Sequence, residues 1–198
     1  MFGVDEAGRG PLAGPLSFAA VKFSKEKLEQ ILRGNLLPQL NDSKKISEKK
    51  REEIYEEIVN SADLVLHQFI SNKFIDKYGI SISIFDAIRR LVIKSREKSI
   101  FLLIDGNYNF LKRQAEKNFQ FNYRSIVKGD ARIASIAAAS IVAKVRRDRY
   151  MNRVAEYYPD YQFEKHKGYG TELHIQKIRE FGYSSLHRKT FQLKKEIL

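Results

Sequence analysis

Cysteine is absent from the 198-residue chain, which excludes disulfide bonds, zinc sites built on thiolates and a cysteine nucleophile. Long apolar runs are missing too. Nothing approaches the roughly 20 residues that a bilayer-spanning helix needs, and the N-terminus lacks a signal-peptide pattern, so the expected compartment is the cytoplasm and no membrane partner is expected. Only four histidines occur, and no pair of them has the spacing of a zinc site. No internal repeat or low-complexity tract is visible. Acidic residues are in deficit: 24 Asp and Glu stand against 36 Lys and Arg, a formal net charge of +12. That surplus points to a polyanionic partner, and nucleic acid is favoured over an anionic membrane surface. The length suits one α/β domain with a substantial core.

The pattern along the chain supports that class. Phe2-Gly3-Val4 opens a strand, and Leu16 to Phe23 reads as a second, so the N-terminus predicts a hairpin with an acidic edge. Arg33 to Lys45 reads as a loop between helices, and Ser47 as the N-cap of the helix that follows. Ala62 to Ile70 alternates like a strand, whereas Ile82 to Arg96 has helical spacing. Ile100 to Ile104 is a continuous apolar run, expected to be a strand buried on both faces and ending at Asp105-Gly106. Tyr123 to Val127 predicts a short strand, and Ile133 to Tyr150 a long helix whose three central alanines allow close packing on a sheet. Strands alternating with helices after an initial hairpin predict a mixed sheet with helices on its faces.

Chemistry-bearing residues cluster in five places. Asp5-Glu6 is followed by Ala7-Gly8-Arg9-Gly10, a carboxylate pair joined to a glycine elbow whose arginine offers a planar fork for phosphate. Asp105 ends the buried strand, where open α/β sheets present ligand groups; an ordinary Asp-Gly turn is the plainer alternative. Asp130 precedes the long helix and is equally suited to capping it. Acids gathered from separate loops in a basic protein repel one another unless divalent cations neutralise them, and hard cations prefer such oxygen ligands. Lys165 to Thr171 places Tyr169 between two glycines in a basic loop, giving a stacking face and a hydroxyl. Lys144, Arg146, Arg147, Arg149 and Arg153 read as a solvated charged face with some phosphate contacts, and Asp148 as their ion-pair partner. His67 reads as structural, His174 and His187 as substrate contacts.

Assembled in order, these segments resemble bacterial ribonuclease HII, the type 2 ribonuclease H. The resemblance runs over nearly the whole chain. It is carried by Asp5 to Pro15, Asn41 to Ser47, Ile104 to Asn107, Lys128 to Asp130 with Ser135 to Val145, His166 to Thr171, and His187-Arg188. It implies a ribonuclease H-like mixed β-sheet flanked by helices, residues 1–198 forming one catalytic domain, and a helical C-terminal region from about residue 160 that binds substrate. It further implies that Asp5, Glu6, Asp105 and Asp130 are catalytic and hold Mg²⁺ or Mn²⁺, two ions during catalysis. Gly8, Arg9 and Gly10 would grip the backbone around a ribonucleotide 2′-hydroxyl, Tyr169 would read the RNA-to-DNA junction, and Lys44, Lys45 and Lys144 would contact phosphates.

The implied reaction is endonucleolytic cleavage of the RNA strand of RNA–DNA hybrids and nicking 5′ of single ribonucleotides in duplex DNA. It leaves 3′-hydroxyl and 5′-phosphate ends and serves ribonucleotide removal in replication and repair, by a monomer. Ribonuclease HIII is the near alternative, disfavoured because the signature begins at Asp5 and leaves no room for its extra N-terminal domain. A non-catalytic hybrid-binding protein is the distant alternative, disfavoured because acids only weaken phosphate binding unless metals occupy them. Two departures from the family pattern stand out. Only four residues precede Asp5, implying a short and weakly anchored first strand, and Tyr78-Gly79 replaces the usual Leu-Asn, so no polar substrate contact is carried onto Gly79.

Overall fold

The computed structural model describes residues 1–40, 46–108 and 121–191. Five strands form one sheet: β1 (Phe2–Ala7), β2 (Leu16–Lys22), β3 (Leu64–Ile70), β4 (Phe101–Asp105) and β5 (Asn122–Ile126). Their order is β3-β2-β1-β4-β5. β1 and β2 pair antiparallel, as do β2 and β3, whereas β1–β4 and β4–β5 are parallel. The mixed sheet is the expected one. Two details differ from expectation. β1 is the central strand, paired on both sides and buried from Phe2 onward, so its short lead-in does not leave it weakly held. β4 is covered unevenly, with Phe101 exposed and Leu102 and Ile104 buried, because its outer neighbour β5 lies at the sheet edge.

The longer helices are α1 (Lys25–Leu32), α2 (Glu48–Ser61), α3 (Asn72–Ser95), α4 (Ala134–Ala155) and α5 (Glu172–Phe181). Side chains of Ser24, Ser47, Ser71 and Thr171 accept an N–H from the first turn of α1, α2, α3 and α5, which satisfies donors a helix cannot pair internally. α3 begins ten residues before the expected Ile82. Its early turns were hidden because Gly79, at φ 77° and ψ 166°, breaks the periodicity with a kink.

Alternation along the strands divides the core into two layers. Ala7, Ala19 and Val21 pack with α2 and α4 on one face. Phe2, Val4, Phe18 and Ala20 pack with Ile84, Ile88 and Leu91 of α3 on the other. The approach of α4 to β1 is close enough that a Cβ on Gly3 would overlap the backbone of Ser135 and Ile136. Ala137, Ala138 and Ala139 permit that distance. The far end of α4 supports a third, smaller cluster, Ala13, Met151, Ala155, Tyr161 and Phe163, which ties the region after residue 160 to the β1–β2 loop. Among the described residues no helix is long and apolar enough to cross a membrane.

Candidate active site

Parallel pairing of the two central strands creates the site. The last matched pair is Val4 with Ile104, so one step onward Asp5 and Asp105 emerge at the same end of the sheet. Asp5 faces α4 and is 7 % exposed; its Oδ1 accepts the Glu6 N–H at 2.8 Å. Glu6 projects to the opposite face of β1, where its Oε2 accepts the Tyr108 hydroxyl at 2.6 Å and its Oε1 lies 4.0 Å from Arg9. Asp105 Oδ1 accepts the Gly129 N–H at 2.6 Å, which docks the end of β4 onto a 3-10 turn spanning Gly129–Ala131. Asp130, buried at 5 %, sits in that turn. It does not cap α4, whose N-cap is Ile133 without a side-chain bond. A Cβ on Gly129 would press on the end of the Ile136 side chain and approach Asp105 Oδ1.

The electrostatics of this end are lopsided. Burial, then the Glu6 charge, push the Asp5 carboxyl up to about 8, and Asp105 adds to the effect against relief from a Ser140 hydrogen bond. Burial also raises Glu6, opposed by Tyr108 and Arg9. Burial first, and neighbouring carboxylates second, therefore disfavour the ionised acids in the metal-free fold. Among the described residues no three or more Asp, Glu or His side chains stand in an arrangement that could hold a metal ion. The donor chemistry nevertheless suits a hard divalent cation: carboxylate oxygens only, partly desolvated.

Beside the acids lies a cavity of about 400 Å³ lined by Glu6, Ala7, Gly8, Arg9, Gly10, Arg51, Ser140, Ile141, Lys144 and Tyr169. Five substrate-facing candidates, Gly8, Arg9, Gly10, Lys144 and Tyr169, from three separate segments thus share walls with one catalytic candidate, Glu6. Gly8 and Gly10 differ in what demands them. Gly8 has φ +92°, and a Cβ on it would overlap the Arg147 guanidinium, so the fold itself excludes a side chain. A Cβ on Gly10 meets nothing within 4 Å. Lys144 gives its ammonium to Asp148 at 2.7 Å while standing 5.7 Å from the centre of the Tyr169 ring. Asp148, also 4.0 Å from Arg51, has the ion-pairing part expected of it. Lys44 and Lys45 lie outside the described residues.

Three expectations are overturned. Arg147 is fully buried and donates to the carbonyls of Pro15, Lys167 and Ala13, so it belongs to no solvated face. His174 and His187 are 0 % and 1 % exposed and cannot touch a ligand. They form a directed chain instead. The Ser184 N–H donates to His187 Nδ1 at 2.9 Å, which leaves the His187 proton on Nε2 to meet His174 Nε2 at 3.0 Å. His174 must then carry its proton on Nδ1, which donates to the Tyr169 carbonyl at 2.9 Å. Tyr108 and Ser140, the partners of Glu6 and Asp5, had no signal of their own in the sequence, since their roles exist only once β1 lies between the two layers.

This histidine chain has a pH consequence. Burial lowers His174 and His187 to about 4, and His166, stacked 4.2 Å from His174, is lowered as well. The unfolded chain takes up protons near 6.5 while the folded one does not until about 4, so the contribution is complete above 6.5 and is lost as pH falls through that window. Amide exchange at Tyr169 and Thr171, whose N–H groups bond to His166 and Tyr169, is expected to quicken more than tenfold between pH 7 and 4.5, beyond the intrinsic pH effect and relative to β2 amides. Equal protection at both pH values would remove the neutral-histidine assignment.

Comparison with known proteins places this geometry. A family model described as Ribonuclease HII matches residues 2–194. Ribonuclease HII of Aliarcobacter butzleri (strain RM4018) is 45 % identical over 192 residues, covering 97 % of this chain and 90 % of that one. Among solved structures, ribonuclease HII in the PCNA complex from Archaeoglobus fulgidus matches with a TM-score of 0.79 at 24 % identity, over 98 % of this chain and 97 % of that one. Bst-RNase HIII crystallised with Mn²⁺ matches at 0.74 and 18 % identity, over 99 % of this chain and 68 % of that one. The fold shared with these structures is the ribonuclease H-like fold.

Proposed function

The chain belongs to the ribonuclease HII family and is accordingly a ribonuclease H, an endonuclease of RNA–DNA hybrids; from that premise we propose that it also nicks duplex DNA 5′ of a single embedded ribonucleotide, leaving 3′-hydroxyl and 5′-phosphate ends. The observation that supports this reading best is the cavity in which Glu6, the Gly8–Gly10 backbone and the face of Tyr169 stand together. One wall carries acid, the next presents main chain at a position where no side chain intrudes, and the third is an aromatic surface that is 39 % exposed. A single sugar bearing a 2′-hydroxyl suits the second wall and its deoxy neighbour the third.

Asp5, Glu6, Asp105 and Asp130 are the residues that would hold the divalent cations, Mg²⁺ or Mn²⁺; the latter is the ion bound in Bst-RNase HIII. When bound, such ions supply Lewis-acid charge stabilisation at the scissile phosphate and acidify water. The chain's own residues do the rest. Ser140 and the Glu6 N–H hold the Asp5 carboxylate, Tyr108 and Arg9 hold that of Glu6, and Gly129 holds that of Asp105, so none has to reorganise as charge develops. Arg9, Arg51 and Lys144 line the same cavity as cations for the phosphates on either side. Residues from about 160 onward, built on the cluster around Phe163, present Tyr169 and form the substrate-binding region.

Discrimination follows from unpaired polar groups: a site built to hydrogen-bond a hydroxyl rejects the analogue lacking it far more strongly than a merely snug site does. The expected result is one nick at the 5′ side of the ribonucleotide in an end-labelled duplex, with the all-deoxy duplex left intact. Cleavage of the all-deoxy control at a similar rate, or no cleavage of the ribonucleotide duplex with either Mg²⁺ or Mn²⁺, sinks the reading.

A further inference from the structure

Two fully buried arginines lie directly beneath the cavity, and neither of them contacts the space a substrate would fill. Arg147 and Arg188 are each 0 % exposed. Burying a guanidinium is costly, and carboxylates are the usual compensation. Here backbone carbonyls take that place. Arg188 donates through Nε to Gly14, through Nη1 to Arg9 and through Nη2 to Gly8, at 3.0, 3.1 and 2.6 Å. Arg147 holds Ala13, Pro15 and Lys167 in the same manner.

The geometry of the peptide unit converts this into an effect on the surface. In a trans peptide the C=O and the following N–H point in opposite directions. Drawing the Gly8 and Arg9 carbonyls inward onto Arg188 therefore turns the Arg9 and Gly10 N–H groups outward, towards the cavity those residues line. Among the described residues neither N–H has an acceptor. Two adjacent outward donors are what an incoming sugar or phosphate oxygen needs.

The neighbouring residue works on the opposite wall. His187 donates its Nε2–H to His174 Nε2, and the His174 Nδ1–H donates to the Tyr169 carbonyl and fixes it. The backbone of the same segment is laced to the β1–β2 loop: Arg188 N–H to Leu12, Gly14 N–H to Leu186, and a bridge between Ala13 and His187. The loop in turn holds the Tyr169 segment through Leu12 N–H to Gly168 at 2.8 Å. A side chain on Gly168 would overlap the Ala13 carbonyl, so no slack remains between them.

We propose that His187 and Arg188 are positioning residues that jointly set the separation between the outward N–H groups of Arg9 and Gly10 and the ring of Tyr169. That separation confines productive binding to one ribonucleotide sugar and its deoxy neighbour, a reading that rests on the single-ribonucleotide nicking proposed above. Two consecutive residues whose side chains reach opposite walls make an economical gauge, because the peptide between them cannot stretch.

The test uses the full chain and Arg188→Lys, with His174→Gln and His174→Asn as a second, milder pair. Gln keeps reach towards His187 and loses the donor to the Tyr169 carbonyl, whereas Asn keeps that donor. Melting temperature, the dissociation constant for an all-deoxy duplex, and kcat and KM on the single-ribonucleotide duplex are measured for each. Folded Arg188→Lys is expected to lose about a hundredfold in kcat, the scale of an ångström misplacement, with all-deoxy binding within twofold of wild type. His174→Gln is expected to lose roughly tenfold in kcat and His174→Asn to recover most of it. Should Arg188→Lys fail to fold, the His174 pair decides alone. Wild-type kcat in the folded variants, or losses that track melting temperature and plain-duplex binding alike, overturns the proposal. A wild-type protein that cuts hybrids but not the single-ribonucleotide duplex overturns instead the reading beneath it.

Discussion

Asp5→Asn is expected to lower turnover on an RNA–DNA hybrid by about three orders of magnitude, since in the proposed site its carboxylate would hold an ion that supplies several kcal/mol of transition-state charge stabilisation. The same substitution is expected to raise the metal-free melting temperature. Asn keeps the oxygen that accepts the Glu6 N–H and removes a charge that burial, Glu6 and Asp105 all disfavour. The pH dependence gives the idea a sharper edge. Folded Asp5 retains its proton up to about 8, whereas the unfolded chain releases it near 3.8, so its contribution is complete below 3.8 and is lost as pH rises towards 8. Without divalent ions the stability gained by Asp5→Asn should therefore be greater at pH 8.5 than at pH 5.5. Added Mg²⁺ should stabilise the wild type and act less on the variant. Normal turnover by Asp5→Asn at saturating Mg²⁺ would take this residue out of the site.

Gly3→Ala is the substitution expected to cost the fold most, about 3 kcal/mol or more, because overpacking against backbone finds no flexible side chain to move. The new methyl group would overlap the Ser135 and Ile136 main chain at the contact of β1 with α4. It would part the central strand from the helix that carries Ser140 and Lys144. A lower denaturant midpoint at unchanged slope is the expected signature. Gly10→Ala is the matched control: its methyl group meets nothing, so stability should stay within about 0.5 kcal/mol while cleavage falls. Equal stability of the two variants would mean that β1 and α4 can separate without penalty.

Where local pattern determined structure, the sequence was legible. Ser47 caps α2 as its side chain suggested, and the apolar run before Asp105 forms β4 with the acid at its end. Asp5 and Asp105 could be read as strand-end acids for that reason. What remained hidden depends on partners far along the chain. Arg147 has the composition of a solvated helix face, and nothing near it in sequence announces the carbonyls of Ala13, Pro15 and Lys167. His174 and His187 look like ligands-in-waiting until the packing of Phe163 against both rings shows them to be interior. The position of β1 at the centre of the sheet is set by its pairing with β4, which no periodicity within either strand encodes.

That central placement has a consequence for the birth of the molecule. On the ribosome β1 is made first, yet the partner for its second edge begins at Phe101. At about 5–20 residues per second, roughly five to twenty seconds pass between them. During that interval the nascent chain can zip β1, β2 and β3 into a meander, but one edge stays open and the face that α4 covers still lacks that helix. Non-local closure of this kind is slow by its topology, and an open apolar edge is the form of chain that holding chaperones engage. Asp105 and Asp130 arrive with the strand and turn that end this interval, so the nascent protein gathers its acids only when it acquires the sheet to carry them.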